Sequence, residues 1–175
     1  PAQGVVSALP PGGARAVFDA LCRATPAQRD EAVLGIVVGT EGSTYAKAGA
    51  LLGFGPGELR QGWISGGCLE PVLEQEAAEV AATRRARIVA LDTRDDGDLM
   101  FGSRVGCRGL LHVALLPLAT MPALETLLSA WRAQAGALEI AIDAEGARMR
   151  CGEHAHAWPM SWSLSATADV VGVTG

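Results

Sequence analysis

A chain of 175 residues, 49% of them hydrophobic, can bury a core of ordinary size, and a single domain is expected. The formal net charge of -5 argues against a general binder of nucleic acids or anionic membranes, because such proteins draw their affinity from basic surface. No apolar run approaches the about 20 residues of a membrane span, and the four cysteines have neither zinc-ribbon nor disulfide-framework spacing, so we expect a cytoplasmic protein with reduced thiols.

The first half of the chain alternates between helical and strand-like patterns. Residues 1–13 are rich in Pro, Gly and Ala and are expected to form a flexible lead-in. The patterns that follow predict, in order, a helix over 14–23, a buried strand over 32–38, a hairpin-like pair over 50–54 and 58–64, and a long helix ending near Thr83.

The second half continues this alternation. Its patterns predict a strand over 87–91, a strand over 110–116, a helix over 121–134, and short strands between 138 and 162 with a turn at Glu145-Gly146. Strands that alternate with helices predict an α/β fold, a layered mixed sheet with flanking helices in one domain over 14–165. Residues 166–175 are expected to be a tail or the start of a linker to an absent second domain.

Two cysteines lie in glycine-rich settings that allow a ligand to approach closely: Cys68 follows Gly66-Gly67, and Cys107 follows Gly106. The helical pattern begins near Cys68, where free backbone amides can bind an anion and lower the pKa of a thiol, an effect that Glu70 opposes. The plain alternative for both cysteines is packing.

Between the two cysteines, the run from Asp92 to Asp98 carries four aspartates. It lacks the pattern of a calcium loop, so no metal site is expected there. Instead, these side chains are predicted to cap backbone amides or to pair with Arg94 and Arg104, which supports the segment before Cys107.

A second polar loop, residues 40–49, offers several hydroxyl groups and the cation of Lys47. It is not a phosphate-binding P-loop, because no glycine directly precedes the lysine, and a solvated loop is the alternative. Further on, Cys151, His154 and His156 have the chemistry of metal ligands. The nearby tryptophans favour an edge strand, on which Cys151 would face away from the histidines.

Four ordered blocks over about eighty residues resemble the N-terminal domain of the XdhC/CoxI family, although each block alone would be weak. The blocks are Thr40-Glu41-Gly42-Ser43-Thr44-Tyr45 with Lys47-Ala48-Gly49-Ala50, Ile64-Ser65-Gly66-Gly67-Cys68-Leu69-Glu70, Asp92-Thr93-Arg94-Asp95-Asp96-Gly97-Asp98-Leu99-Met100-Phe101-Gly102, and Gly106-Cys107. The sequence departs from the family pattern at Arg108, where a glycine is usual, and the chain stops without the Rossmann-like second domain of longer members.

The resemblance implies a chaperone rather than an enzyme. Such proteins bind the molybdenum cofactor (molybdopterin) as cargo, protect it while a cysteine desulfurase supplies its sulfur, and deliver it to a xanthine dehydrogenase-type apo-enzyme; a homodimer is a further expectation. The implied cofactor-binding residues are Cys68, Cys107, Gly66, Gly67, Ser65, Ser43, Tyr45, Lys47 and Arg108. Two alternatives stay open: a cysteine-dependent transferase or hydrolase with Cys68 as nucleophile, which needs a nearby base, and a docking module that binds no cofactor.

Overall fold

The structure, a computed structural model, describes residues 4–6, 13–64, 69–94 and 109–165. The helices are α1 (Gly13–Arg23), α2 (Pro26–Asp30), α3 (Glu70–Thr83) and α4 (Leu124–Arg132), with 3₁₀ turns at Gly57–Leu59 and Leu118–Thr120. The strands are β1 (Gly4–Val6), β2 (Val33–Gly42), β3 (Leu51–Phe54), β4 (Arg87–Asp92), β5 (Gly109–Pro117), β6 (Leu138–Asp143), β7 (Gly146–Cys151), β8 (His154–Pro159) and β9 (Ser163–Leu164). The predicted mixed α/β fold is confirmed.

The described strands form two sheets. The larger has the order β3-β2-β5-β4-β9, antiparallel except for the parallel pair of β4 and β9. The smaller is antiparallel, with the order β1-β6-β7-β8. The sequence pattern predicted most of these strands, but not β1, β9 or the division of the strands between two sheets, because strand order depends on contacts between distant segments.

The five-stranded sheet is buried on both faces, as the continuous apolar runs of β2 and β5 require. On one face, Leu34 and Ile36 join the first apolar cluster, which also contains α1, α4 and the inner side of the four-stranded sheet. On the other face, Val33 and Val37 join the second apolar cluster, which contains α3. The layers are therefore the four-stranded sheet with α1 and α4, then the five-stranded sheet, then α3.

Helix α3 is the element that leads away from the Cys68 segment. Its buried residues Leu73, Ala77 and Val80 recur at helical spacing and form the stripe that packs on the sheet. Pro71 stands in the first turn, where its missing N–H leaves no bond unmade, and Arg84 ends the helix with φ of 54°. The predicted helix start and its end at Thr83 are confirmed.

The prediction of a second hairpin strand over 58–64 is wrong. Gly57 takes φ of 61° and opens a 3₁₀ turn, which buries Leu59 against β3. Only Gln61 then bridges to Gly53. Burial of Leu59 is a tertiary effect that local strand propensity does not contain.

Two boundaries also differ from the predicted ones. Helix α4 begins at Leu124 rather than 121, since Pro122 disfavours helical geometry at the residue before it and Ala123 has φ of 65°. Within the predicted lead-in, Gly4–Val6 pairs with β6. Residues 166–175 lie outside the described residues, and none of the described helices is long and apolar enough to cross a membrane.

Candidate functional site

One end of the five-stranded sheet brings together the described flanks of the Cys107 segment and the polar loop that follows β2. We call it the loop end. There the register pairs Gly42 with Gly109, and Asp92 with Leu110, so that β2 and β4 finish where β5 begins. The loop of residues 43–50 leaves β2 at the same end and leads into β3. The described chain stops at Arg94 and resumes at Gly109, so the flanks of the Cys107 segment lie at the loop end.

Gly109 lies between Thr93 and the 43–50 loop, with close contacts to both. The Thr93 backbone N–H donates to the Gly109 carbonyl at 2.9 Å, and the Gly109 N–H donates to the Thr93 hydroxyl at 3.1 Å. From the other side the 43–50 loop closes in, because a Cβ at Gly109 would lie 2.8 Å from the Ser43 carbonyl oxygen and 2.5 Å from Thr44 Cγ2. A glycine is therefore required where the chain returns from the Cys107 segment.

Arg94 links two strands across the loop end. Its Nε and backbone N donate to Asp92 Oδ1 at 2.8 and 3.0 Å, and its Nη1 lies 3.7 Å from Glu41 Oε2. The hydrogen bond from Arg94 holds the pKa of the Asp92 carboxyl below its ordinary value. The predicted pairing of Asp92 with Arg94 is confirmed; Asp95, Asp96, Asp98 and Arg104 lie outside the described residues.

The 43–50 loop presents polar groups while its middle is anchored. Ala46 is buried in the second cluster, and its carbonyl accepts a hydrogen bond from the Thr44 hydroxyl at 2.8 Å. Ser43, Tyr45 and Lys47 are exposed around this anchor, and Tyr45 is 66% exposed. Three of the predicted site residues thus lie on one anchored loop with their hydroxyl and ammonium groups accessible.

The described flanks of the Cys68 segment are joined by a buried carboxylate. Glu70, the first residue of α3, accepts a hydrogen bond from the Ile64 backbone N–H at 3.0 Å and is the buried charged residue of the described core. Ile64 and Leu69 both belong to the second cluster, as does Ala46 of the loop. Both flanks therefore pack in the same apolar cluster as the anchor of the 43–50 loop.

The remaining predicted site residues lie outside the described residues: Ser65, Gly66, Gly67, Cys68, Cys107 and Arg108. In the described part, sequence reasoning did not single out Trp63, which is 75% exposed, or Thr93 and Glu41. Trp63 stands directly before the glycine-rich block, but nothing in the pattern indicated whether its ring was buried. The roles of Thr93 and Glu41 depend on strand register, which no local pattern supplied.

The other cysteines and the histidines have separate surroundings. Cys22 is partly buried and packs against the first cluster. The prediction that Cys151 faces away from the histidines is wrong. Residues 152 and 153 turn the chain between β7 and β8, so Cys151 pairs with His154 on the neighbouring strand, and the two side chains lie on the same face of the sheet. Among the described residues, no group of three or more His, Cys, Asp or Glu side chains is arranged to hold a metal ion. His112 pairs with Gly39 of β2 and Ala90 of β4. Its chain neighbours Leu111 and Val113 belong to the second cluster, so the His112 side chain lies on the face of the sheet opposite α3.

The architecture is that of an α/β domain, and it is similar to part of a known structure. A solved structure described as a xanthine dehydrogenase from Bacillus halodurans matches with a TM-score of 0.63 and 26% identity, over 83% of this chain and 45% of that chain. A curated relative from Bacillus subtilis (strain 168), named as a probable subunit of xanthine dehydrogenase, is 35% identical over 102 residues. That match covers 58% of this chain and 30% of the relative, so the chain spans less than half the length of either protein.

A comparison with protein families gives a more specific assignment than the fold. Residues 26–92 match the model of the XdhC and CoxI family, which includes β2, the 43–50 loop, α3 and β4. Together with the two relatives, this match confirms the resemblance to the XdhC and CoxI family that the sequence motifs indicated.

Proposed function

We propose that this chain is an accessory protein for a xanthine dehydrogenase-type enzyme, which binds the molybdenum cofactor, protects it during sulfuration and delivers it to the apo-enzyme. The observation that carries the proposal is that the described flanks of the Cys107 segment meet an exposed polar loop at the loop end, while the flanks of the Cys68 segment pack in the same apolar cluster as the anchor of that loop. The names of the two relatives favour a xanthine dehydrogenase-type client. A cysteine desulfurase is the expected sulfur donor, and the cytoplasm the expected compartment.

The proposed roles follow from the chemistry of the side chains. Cys68 and Cys107 provide soft thiolates for molybdenum or its terminal sulfur. The anionic end of the cofactor is held by Lys47, by Arg108, and by the backbone amides of Ser65, Gly66 and Gly67 before α3. Ser43 and Tyr45 offer hydroxyl groups to the polar edge of the pterin.

The alternative of a cysteine-dependent enzyme needs a base within hydrogen-bond reach of the thiol, usually a histidine. All three histidines of the chain lie among the described residues. His154 and His156 stand on β8 of the other sheet, and His112 faces away from α3. The described geometry therefore favours a carrier over a Cys68–His nucleophile pair.

The test is binding of isolated molybdenum cofactor to the purified chain, followed by ultrafiltration and reconstitution of a cofactor-free molybdoenzyme with the retained fraction. We expect stoichiometric retention by the wild type and loss of retention in Cys68→Ala, while Cys22→Ala, the matched change at a packing cysteine, retains the cofactor. An absence of binding by the wild type would contradict the carrier function and favour the docking module. Retention by Cys68→Ala equal to that of the wild type would refute the role of that thiol.

A further inference from the structure

Trp63 differs from the other tryptophans of the chain, all of which lie in the described part. Trp158 is buried and donates its indole N–H to the Pro122 carbonyl at 2.8 Å, and Trp162 donates to the Asp143 carbonyl at the same distance. Trp131 packs against Phe18 with ring centroids 5.6 Å apart. Trp63 is 75% exposed, so its ring contributes little to the packing of the described core.

The backbone places Trp63 beside the start of β3, where the 43–50 loop enters that strand. Gln61 exchanges two hydrogen bonds with Gly53, at 2.8 and 3.1 Å, and runs antiparallel to β3. Gly62 then lies against the start of β3, because a Cβ on it would be 2.3 Å from the Leu51 carbonyl oxygen. Since the 43–50 loop enters β3 at Leu51, the chain reaches Trp63 at the side of the sheet where that loop lies.

The position of Trp63 is fixed by its neighbours. Gly62 has φ of 91°, a left-handed geometry that glycine adopts without strain, and Ile64 is fully buried in the second cluster. Tyr45 is held in the same way by the buried Ala46 of that cluster. Two large, exposed aromatic side chains thus project from anchored backbone, Tyr45 on the 43–50 loop and Trp63 on the side of the sheet where that loop enters β3.

We infer that Trp63 is a stacking platform for the planar pterin ring of the cofactor, with Tyr45 as a second aromatic wall. This inference rests on the proposed function and adds a residue that recognises the ring rather than the metal or the phosphate. A planar heterocycle stacks on an exposed indole without needing a matched set of hydrogen bonds. Lys47 beside Tyr45 supplies a cation for the anionic end, so the ring and the charge of one ligand meet different groups of the same surface.

The test compares Trp63→Ala, Trp63→Phe and a control, Leu164→Ala. Leu164 is 81% exposed on β9, which pairs with the start of β4 at the opposite end of the sheet. The probe is molybdenum cofactor released anaerobically from a purified molybdoenzyme, and the readouts are its dissociation constant and the quenching of tryptophan fluorescence. Stacking of one base on an aromatic side chain corresponds to about a 10- to 100-fold change in affinity, so we expect Trp63→Ala to weaken binding by that factor.

Trp63→Phe should retain most of the affinity but lose most of the quenching, and Leu164→Ala should match the wild type in both readouts. Thermal unfolding should be unchanged in all three variants, because neither side chain is packed. Wild-type affinity in Trp63→Ala would overturn the stacking role alone. If that variant also failed to reconstitute the apo-enzyme, Trp63 would be a protein-docking residue. No cofactor binding by the wild type would refute the proposed function, and the stacking role with it.

Discussion

Gly109 is the position at which the loop end makes its strictest steric demand. An alanine Cβ there would lie 2.5 Å from Thr44 Cγ2, 2.7 Å from the Glu41 carbonyl oxygen and 2.8 Å from the Ser43 carbonyl oxygen. All three distances are below 3.0 Å, which real Cβ atoms essentially never show. Two of the three contacts are to backbone atoms, which cannot move aside by a change of rotamer. Gly109→Ala must therefore displace the 43–50 loop from the start of β5.

The expected cost is that of overpacking, about 1–3 kcal/mol of unfolding free energy. For a chain of this size, a loss of about 2 kcal/mol lowers the melting temperature by roughly 4–8 °C. Because the Thr93 hydrogen bonds hold Gly109 from the other side, β5 cannot simply slide away from the loop. We therefore expect the loop to move, with faster amide hydrogen exchange over residues 43–50 and weaker retention of molybdenum cofactor.

Thermal unfolding followed by circular dichroism is the assay, with two companion variants. Gly13→Ala is the matched control, since a Cβ there meets no atom within 4 Å, and it should unfold like the wild type. Thr44→Ser removes the methyl group but keeps the hydroxyl that donates to Ala46. Combined with Gly109→Ala, it should recover only part of the loss, because both carbonyl contacts remain. A wild-type melting temperature for Gly109→Ala, or complete recovery in the double variant, would refute this reasoning.

Three further predictions concern charges and thiols. The pKa of Asp92 is lowered in the folded state, so its pairing with Arg94 stabilises the fold fully above the ordinary carboxyl pKa of about 3.9, and this stabilisation is lost as the pH falls through the lowered value. In urea titrations at several pH values, Arg94→Gln should therefore lower the free energy of unfolding near neutral pH and change it little in acid. A loss of stability that is independent of pH would exclude this cause. Glu70→Ala leaves the buried Ile64 N–H without this acceptor and should lower the free energy of unfolding in urea by about 1–3 kcal/mol. Glu70→Gln keeps an acceptor and should lower it by less. Equal losses in the two variants would mean that the charge, not the acceptor, matters. Burial raises the pKa of the Cys22 and Cys151 thiols, so both should be alkylated slowly at pH 8, as measured by mass spectrometry. Alkylation rates like that of a free thiol would contradict their packing.

Local signals predicted the elements whose stability is itself local. The start of α3 after the glycine pair and its end near Thr83 both followed from the helical pattern, and both agree with the structure. The strand expected over 58–64 failed because Leu59 turns inward against β3, a contact between segments that a sequence pattern does not contain. The same limit applies to the loop end: each polar block was visible in the sequence, but their meeting depends on the register of Gly42 with Gly109.

The segments around the two cysteine blocks combine specific polar bonds with a few apolar anchors, whereas the body of the domain is held by apolar packing. Thr93 bonds Gly109, Glu70 bonds Ile64, and Arg94 bonds Asp92, and each bond links a residue that borders a cysteine segment to a strand or helix of the sheet layers. Such bonds contribute about 1 kcal/mol each, far less than the apolar clusters beneath them, so the loop end can rearrange while the core stays folded. A carrier that must first hold a cofactor and then release it to a client enzyme requires this separation. Under the proposed function, docking of a client enzyme would need to compete only with a few hydrogen bonds at the loop end to change the affinity for the cargo, while the sheet that positions those bonds stays intact.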